Sequence, residues 1–591
     1  MADLAKEEHD LPRTVLIAYG SETGNSQDVA EELGRLTERL HFQARVTELD
    51  AIQPVNNSKL HDSRLARFNW ASRKLYKRLS QLGANTLYPP GEGDEQHPES
   101  IEGTFIPWSL GLRKCLLEEF PLKAGQEPIP ENERLPPKWV LSANQQEQPV
   151  ESTQVASQIS KLEAFDHDTR PIPNSITATL VKNERVTPSS HWQDVRHIIL
   201  RSPESMPYSP GDILHITPKN FSRDVDALIS LMGWEKDADI PLQFSTGDGS
   251  SPSAAITPPP IPFLQELPGF TLRTLLSNYL DIMAIPRRSF FSQVAHFTDD
   301  SMHKERLLEF TDPEYIDEFY DYATRARRSI LEILEEFYTV KIPWQQACNV
   351  LPILRGRQFS LASGGKLKKS PDGGTGFELL IAIVKYQTVI KRVREGVCTR
   401  YIAKLQPGST LKIQVQKGGL NSTGKQLSDP AVLIGPGTGV APIRSLLWEK
   451  AALAEAFRKE HGIDKPLPLG PVILLYGGRN RSADYFFADE WEELKKQIDL
   501  RIFAAFSRDQ KQKYYVQDVI REQSETIYDL LLRQEGSVFI CGSSGNMPRA
   551  VREALIETFQ KPLGVTDETR EAAENYLAGM EKIGRYKQET W

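Results

Sequence analysis

The sequence predicts a multidomain protein of mixed class, α/β at both ends with an antiparallel β-domain between them. Three observations carry that expectation. The chain has 591 residues, several times the roughly 100–200 that usually share one core. Its opening and closing stretches alternate apolar runs of strand length with helical repeats, the pattern of a parallel sheet flanked by helices. Its middle carries short alternating runs instead, as half-buried antiparallel strands do. A hydrophobic content of 39% and a charged content of 25% lie in the globular range.

Taken in order, residues 13–19 (RTVLIAY) form a short apolar strand, followed by a polar turn. The stretch DVAEELGRLTERL then sets Val29, Leu33, Leu36 and Leu40 at helical spacing. A second helix is expected over 68–82 (FNWASRKLYKRLSQL) and a third near 108–119. Pro, Glu, Gln and Ser dominate 121–165, which predicts a hinge. From Ile176 to Pro218 the runs TATLVKNERVT, VRHIILRS and GDILHITP read as antiparallel strands. Residues 222–347 are mostly helical around the loop STGDGSSPSAAITPPPIP, and strands return over 357–417. A helical piece is therefore inserted into a β-domain. Over 430–591 the strands AVLIG, PVILLYG, LRIFAAF and GSVFICG alternate with helices, as in a doubly wound parallel sheet. No internal repeat is visible.

A formal net charge of −8 and the lack of a long Lys/Arg block give no reason to expect a nucleic-acid partner. Four cysteines, Cys115, Cys348, Cys398 and Cys541, are scattered without a CxxC pair. That spacing argues against a disulfide framework, a zinc site or an iron–sulfur cluster of the chain's own, and for a reducing compartment. The opening MADLAKEEHD offers neither a signal-peptide core nor a glycine at position 2, and no run of ~18 apolar residues follows. A cytosolic chain without a membrane anchor is expected.

Gly435-Pro-Gly437-Thr438-Gly439-Val-Ala-Pro-Ile-Arg444 follows the strand AVLI and opens a helix. Glycines let backbone amides approach a pyrophosphate, and a helix N-terminus favours its charge. A glycine-rich turn alone is ordinary punctuation; this strand–turn–helix setting makes it a dinucleotide loop. Ser507 and Arg508 follow the strand LRIFAAF, with Lys513, Tyr515 and Gln517 close behind. In isolation such a stretch is a solvated loop, but after a dinucleotide loop its cations and hydroxyls suit a 2′-phosphate, favouring NADPH over NADH. Arg357-Gln358-Phe359-Ser360 supplies a cation, a ring and a hydroxyl on a strand, where Arg357 and Phe359 share a face. Gly396-Val397-Cys398-Thr399 leads into the helix RYIAKL with a turn whose amides suit a diphosphate. Cys398 by itself reads as packing. Cys541-Gly542 ends an apolar strand, and Glu589-Thr590-Trp591 closes the sequence.

Together RQFSLAS, GVCT, GPGTGVAPIR, AFSRDQKQKYYVQ, CGSSGNMP and Trp591 resemble the diflavin reductases: cytochrome P450 reductase, the sulfite reductase flavoprotein and their relatives. The motifs stand in family order across about 170–591. The resemblance implies an enzyme in which NADPH reduces FAD, FAD passes single electrons to FMN, and FMN reduces an outside acceptor. It implies a flavodoxin-like domain over 1–142, a linker over 143–170 and an antiparallel FAD-binding β-barrel over 171–221 and 348–420. An inserted helical connecting domain over 222–347 and an NADPH-binding doubly wound domain over 421–591 complete the expected chain. By the same resemblance Arg327, Arg357, Gln358, Phe359 and Ser360 with Gly396 to Thr399 hold FAD, and Gly437, Thr438, Gly439 and the Ser507–Gln517 group hold NADPH. Ser360, Cys541 and Glu589 match the polar trio beside the hydride path, and Trp591 the aromatic that covers the flavin. Glu589 stands where P450 reductases carry Asp. Within the family the opening YGSETGNSQDVAEEL, the run FNWASRKLYKRLSQLGA and the ending RYKQETW are most similar to the soluble branch that serves cytosolic iron–sulfur protein assembly. An anamorsin-type iron–sulfur protein is then the expected acceptor, and the cytoplasm, with association to mitochondria, the expected location.

The sequence departs from the family at its beginning. Ser21, Glu22, Thr23, Gly24, Asn25 and Ser26 match the FMN phosphate loop, but the two later loops that hold the isoalloxazine ring are not intact. Where the family has two more strands and a helix, only 51–67 lie between Asp50 and the helix FNWASRKL, about fifty residues short of a complete doubly wound domain. The stretch His61–Asn69 resembles the tail of the third loop without its glycines and tyrosine. Poor FMN binding follows as an expectation, and with it an alternative activity, a FAD-only NADPH dehydrogenase.

Overall fold

In the computed structural model of the chain, residues 13–21, 24–49, 70–94, 97, 99–144, 165–249, 258–266, 270–420 and 424–591 are described. The expected positions Glu22, Thr23 and Asp50, the remnant 61–69 and most of the linker lie outside them.

Strand β1 (Thr14–Tyr19) pairs in parallel with β2 (Gln43–Glu48) across the helix Asn25–Arg39. Leu40, Phe42 and Leu116 bury together where the helix Glu102–Glu119 packs on this unit. Among the described residues its sheet has two strands. A parallel strand is ordinarily buried on both faces, yet Leu16 in β1 is 55% exposed. Among the described residues no further strand of this sheet flanks β1.

The segment read as a hinge contains a strand. β3 (Trp139–Ala143) pairs antiparallel with a strand far along the chain, and Trp139 and Leu141 enter the core of the helical piece. The expectation of a hinge over 121–165 is corrected at 139–143, where the chain is tied down, while the linker expected over 143–170 lies mostly outside the described residues. A second tie follows at Asp168 and Arg170, both fully buried. The Arg170 guanidinium donates to Asp168 Oδ2 at 2.6 Å and to the carbonyls of Thr217 and Pro218 at 2.7 Å each.

β4 (Ile176–Arg185), β5 (Val195–Ser202) and β6 (Ile213–Ile216) belong to a six-stranded antiparallel sheet that closes around Leu180, Ile198, Leu214, Phe377 and Tyr401. Between β6 and the next barrel strand come the partner of β3, β7 (Leu242–Thr246), and a run of short helices packed around Phe291, Phe310 and Leu334. The barrel resumes with β8 (Arg357–Ser360) and β9 (Thr375–Ala382). A small exposed hairpin of β10 (Lys385–Gln387) and β11 (Val393–Glu395) precedes the last barrel strand, β12 (Thr410–Gln416). The spatial order is β8-β6-β12-β4-β5-β9.

β13 (Ala431–Pro436), β14 (Val472–Gly478), β15 (Leu500–Phe506), β16 (Ser537–Gly542) and β17 (Tyr586–Thr590) form a parallel sheet in the order β15-β14-β13-β16-β17. Long helices, Val440–His461 and Asn546–Gln560 among them, cover it. The sequence supplies the first four strands; β17, whose polar KQET hides its strand character, is a fifth that it does not. Register pairs Cys541 with Glu589 and Gly542 with Thr590.

Candidate cofactor site

The barrel and the parallel sheet meet along the edge formed by β8, β16 and β17. Ser360, at the end of β8, donates its hydroxyl to Glu589 Oε1 at 2.6 Å, although the two are 229 residues apart. Cys541 lies beside Glu589 in the sheet register and is fully buried. Burial, with the Glu589 carboxylate adding to it, pushes the Cys541 thiol well above its ordinary range, so it stays a neutral thiol at physiological pH. Trp591 is fixed through its backbone: its amide donates to Gly542 at 3.0 Å, and its carbonyl accepts from Ser544 at 3.1 Å. The residue remains 51% exposed. The fold thus brings together the trio and the aromatic that the sequence placed far apart.

The pyrophosphate loop fits its expected group. Gly437 holds φ at 58°, with nothing within 4 Å of where a Cβ would point, while a Cβ on Gly439 would meet the Cys541 carbonyl at 2.2 Å. The turn Gly437–Gly439 therefore leaves room above itself and none below, and it opens the helix Val440–His461, whose first amides lack intrahelical partners. Arg444, which the sequence offers only as the tail of this motif, turns away from the loop. It is 2% exposed and makes paired bonds to Glu490 at 2.7 and 2.8 Å. Its remaining nitrogen lies 2.9 Å from Glu378 of β9, which also bonds His197 of β5 at 2.8 Å. Arg444 is a clamp between barrel and sheet.

Ser507 and Arg508 follow β15, and their amides donate to the carbonyls of Gly478 and Arg479 at 3.0 and 2.8 Å. Tyr515 and Arg508 are exposed here, and Gln517 lies in the first turn of the helix Val516–Glu522. Lys513 is exposed on the intervening loop. Arg479, after β14, joins this group, and the sequence reading missed it. Burial first and the Arg508 charge second hold its guanidinium below its ordinary range. A half-buried Arg479 and an exposed Arg508, joined backbone to backbone at 2.8 Å, offer two cations to a phosphate. The signal available was Gly-Gly-Arg at the end of PVILLYG, the same strand-end position that Ser507-Arg508 occupy one strand over.

On the barrel, the amides of Val397, Cys398 and Thr399 open the helix Val397–Lys404, and the first helical bond runs from Arg400 to Gly396 at 2.8 Å. Those three amides are the unpaired donors of a helix start, which fits a diphosphate. The Cys398 side chain plays no part in that cradle, since it is buried against the Ile216 carbonyl at 3.8 Å. Phe359 alternates with Gln358 along β8. Arg357 folds back onto the Arg355 carbonyl at 2.6 Å and lies 3.8 Å from buried Asp281, so it must swing outward to reach a phosphate. Arg327 stands exposed with φ at 52° at the end of the inserted helices.

At the truncated end, Ser21 Oγ accepts from the Gly24 amide at 2.9 Å, and Gly24 adopts φ of 97°. Arg287 bonds Asn25, and Arg355 bonds Gln27. A Cβ on Gly24 would sit 3.1 Å from Arg355 Nε. A hydroxyl, a tight turn and two cations fit the phosphate end of FMN; Ser26 is exposed in the first turn of the helix. The ring-holding loops have no counterpart among the described residues.

A barrel with a flavin cradle joined to a dinucleotide-binding sheet defines a pyridine-nucleotide flavin oxidoreductase. Residues 170–401 match the family described as FAD binding domain, and 433–553 that described as oxidoreductase NAD-binding domain. The chain is 54% identical to NADPH-dependent diflavin oxidoreductase 1 of Aspergillus fumigatus, with 98% of each chain covered. It is 34% identical to the protein of that name from Schizosaccharomyces pombe, over 98% of this chain and 99% of the other. In Danio rerio the figures are 32%, 98% and 99%. The chain belongs to the NADPH-dependent diflavin oxidoreductases, in the P450 reductase-like family, and is an NADPH-dependent flavin enzyme. Its alignment with the Aspergillus fumigatus protein spans 645 positions, more than its own 591 residues, so part of that relative has no counterpart here. No helix among the described residues is long and apolar enough to cross a membrane.

Proposed function

We propose that this chain passes electrons from NADPH through FAD and FMN to an anamorsin-type iron–sulfur protein in cytosolic iron–sulfur cluster assembly, and that it works in the cytoplasm. The observation that carries the redox part is the 2.6 Å bond between Ser360 of the barrel and Glu589 of the sheet. It joins barrel and sheet at two of the residues that the family resemblance sets beside the hydride path, which supports this reading. Bound FAD would supply hydride acceptance and one-electron release, and bound FMN the one-electron relay. The protein's task is positioning. Gly437, Thr438 and Gly439 hold the pyrophosphate; Ser507, Arg508, Lys513, Tyr515 and Gln517 select the 2′-phosphate. Arg327, Arg357, Phe359, Ser360 and the Gly396–Thr399 turn hold FAD. Ser360 keeps its proton directed at Glu589, the neutral Cys541 thiol adds no competing charge, and the exposed Trp591 would be the aromatic available to cover bound flavin.

The two-stranded parallel sheet at the N-terminal end favours a second reading, a FAD-only NADPH dehydrogenase active toward small acceptors. Flavin analysis of the purified chain, paired with NADPH-driven reduction of an anamorsin-type protein and of ferricyanide, separates the two. Equimolar FAD and FMN with both acceptors reduced supports the full relay. FAD alone, with ferricyanide reduced and the iron–sulfur protein not, overturns it in favour of the second reading.

A further inference from the structure

The hairpin joining β4 to β5 leaves the barrel and crosses to the parallel sheet. It is stiff: Thr187, 4% exposed, donates to the Gln193 carbonyl at 2.8 Å and accepts from the Val195 amide at 3.1 Å. Arg185 bonds the carbonyls of Pro188 and His191 at 2.9 and 3.1 Å. At its tip Trp192 is 56% exposed, which for an indole off any core calls for a reason. Its ring faces the Arg479 guanidinium, whose carbon lies 3.7 Å from the ring centre.

Among the described residues the Asp484 carboxylate favours the charge of Arg479 and Arg508 opposes it, while the hydrogen bonds of Arg479 run through its backbone. Its amide donates to Asp484 at 2.8 Å, and its carbonyl accepts from the Arg508 amide at 2.8 Å. Arg481 is directed elsewhere, over Tyr485 and Phe506 at 5.4 and 5.2 Å. Arg479 and Arg508 are like charges on neighbouring strand ends, so a partner on the Arg479 guanidinium favours their standing together. The π-face of an indole is the strongest aromatic partner for a guanidinium and leaves its edge nitrogens free to donate.

We propose that Trp192 is a positioning residue for nucleotide specificity: from the FAD barrel it braces Arg479 beside Arg508, so that both cations meet the 2′-phosphate of NADPH. This rests on the placement of the 2′-phosphate at Ser507–Gln517 proposed above. It makes the preference for NADPH a property of the docked pair of domains rather than of the sheet alone.

The test is steady-state ferricyanide reduction by the full chain with NADPH and with NADH, together with calorimetric binding of 2′,5′-ADP and 5′-AMP. Trp192→Leu should raise KM for NADPH and weaken 2′,5′-ADP by about five- to thirtyfold. It should leave kcat, KM for NADH and 5′-AMP binding unchanged, and Trp192→Phe should restore most of the loss. In an Arg479→Ala background the Trp192→Leu loss should vanish, because the brace has nothing left to hold. Equal effects on both nucleotides, no effect, or full additivity with Arg479→Ala overturns the proposal. Arg508→Ala keeps the two failures apart. If it is selective for NADPH while Trp192→Leu is not, only the brace is wrong; if it too is unselective, the phosphate placement falls and the brace with it.

Discussion

Glu378 shows how one side chain couples two domains. Burial works against its charge, but the His197 bond and the Arg444 guanidinium more than offset this and hold its carboxyl below the usual range. A depressed carboxylate contributes its full stability above its ordinary value near 4.5 and loses it as pH falls below that value through its lowered folded one. Glu378→Gln should therefore lower the unfolding midpoint clearly at pH 7. The loss is on the order of 3 kcal/mol, because the buried guanidinium is left with one carboxylate fewer. At pH 4 the difference from the parent should shrink. Thermal unfolding at the two pH values measures both; an equal loss at each would mean that shape, not charge, is what Gln fails to supply.

At the scale of elements, the turn Gly437–Gly439 is the most exacting piece of the molecule. A Cβ at residue 439 would press on the Cys541 backbone carbonyl at 2.2 Å, and neither β13 nor β16 can yield inside a packed parallel sheet. Gly439→Ala should cut NADPH-driven flavin reduction more than tenfold while the barrel keeps its FAD. Flavin absorbance per protein and stopped-flow reduction would report the two halves separately, and loss of FAD itself would place the damage elsewhere. This loop was legible in the sequence because strand, glycines and helix are contiguous, and so was the Gly396–Thr399 turn. What was not legible is pairing across distance. β17 reads as a polar tail until β16 lies beside it, and β3 is masked by the prolines around it. Arg444 belongs by sequence to a phosphate motif and by structure to the domain seam. Arg479 and Trp192 share no local pattern at all, and only the docked hairpin joins them.

For the whole molecule, the question is how a truncated N-terminal unit stays attached. Its helix Asn25–Arg39 faces the inserted helices through charge: Asp28 accepts from Ser289 at 2.9 Å, Glu32 pairs with Arg288 at 2.5 Å, and Arg287 lies 3.6 Å from Asp28. Glu102 enters the same cluster, 3.3 Å from Arg288. Burial pushes its carboxyl up to about 7; Arg288 and Arg287 oppose the rise, and Glu32 and Asp28 add to it. The sign follows from linkage. A carboxyl raised above its ordinary 4.5 binds a proton in the folded chain that it has already lost in the unfolded one. Its contribution is complete below about 4.5 and disappears as pH rises through about 7. Docking of this unit should therefore loosen between pH 5 and pH 8, and Glu102→Gln, which keeps the shape without the charge, should remove that trend. Amide exchange in the helix Glu102–Glu119 at the two pH values is the direct measurement. Protection in the parent should fall at pH 8 and in the variant stay level. Protection that falls equally in both would show that the attachment is governed by the Asp28–Arg287 and Glu32–Arg288 pairs alone.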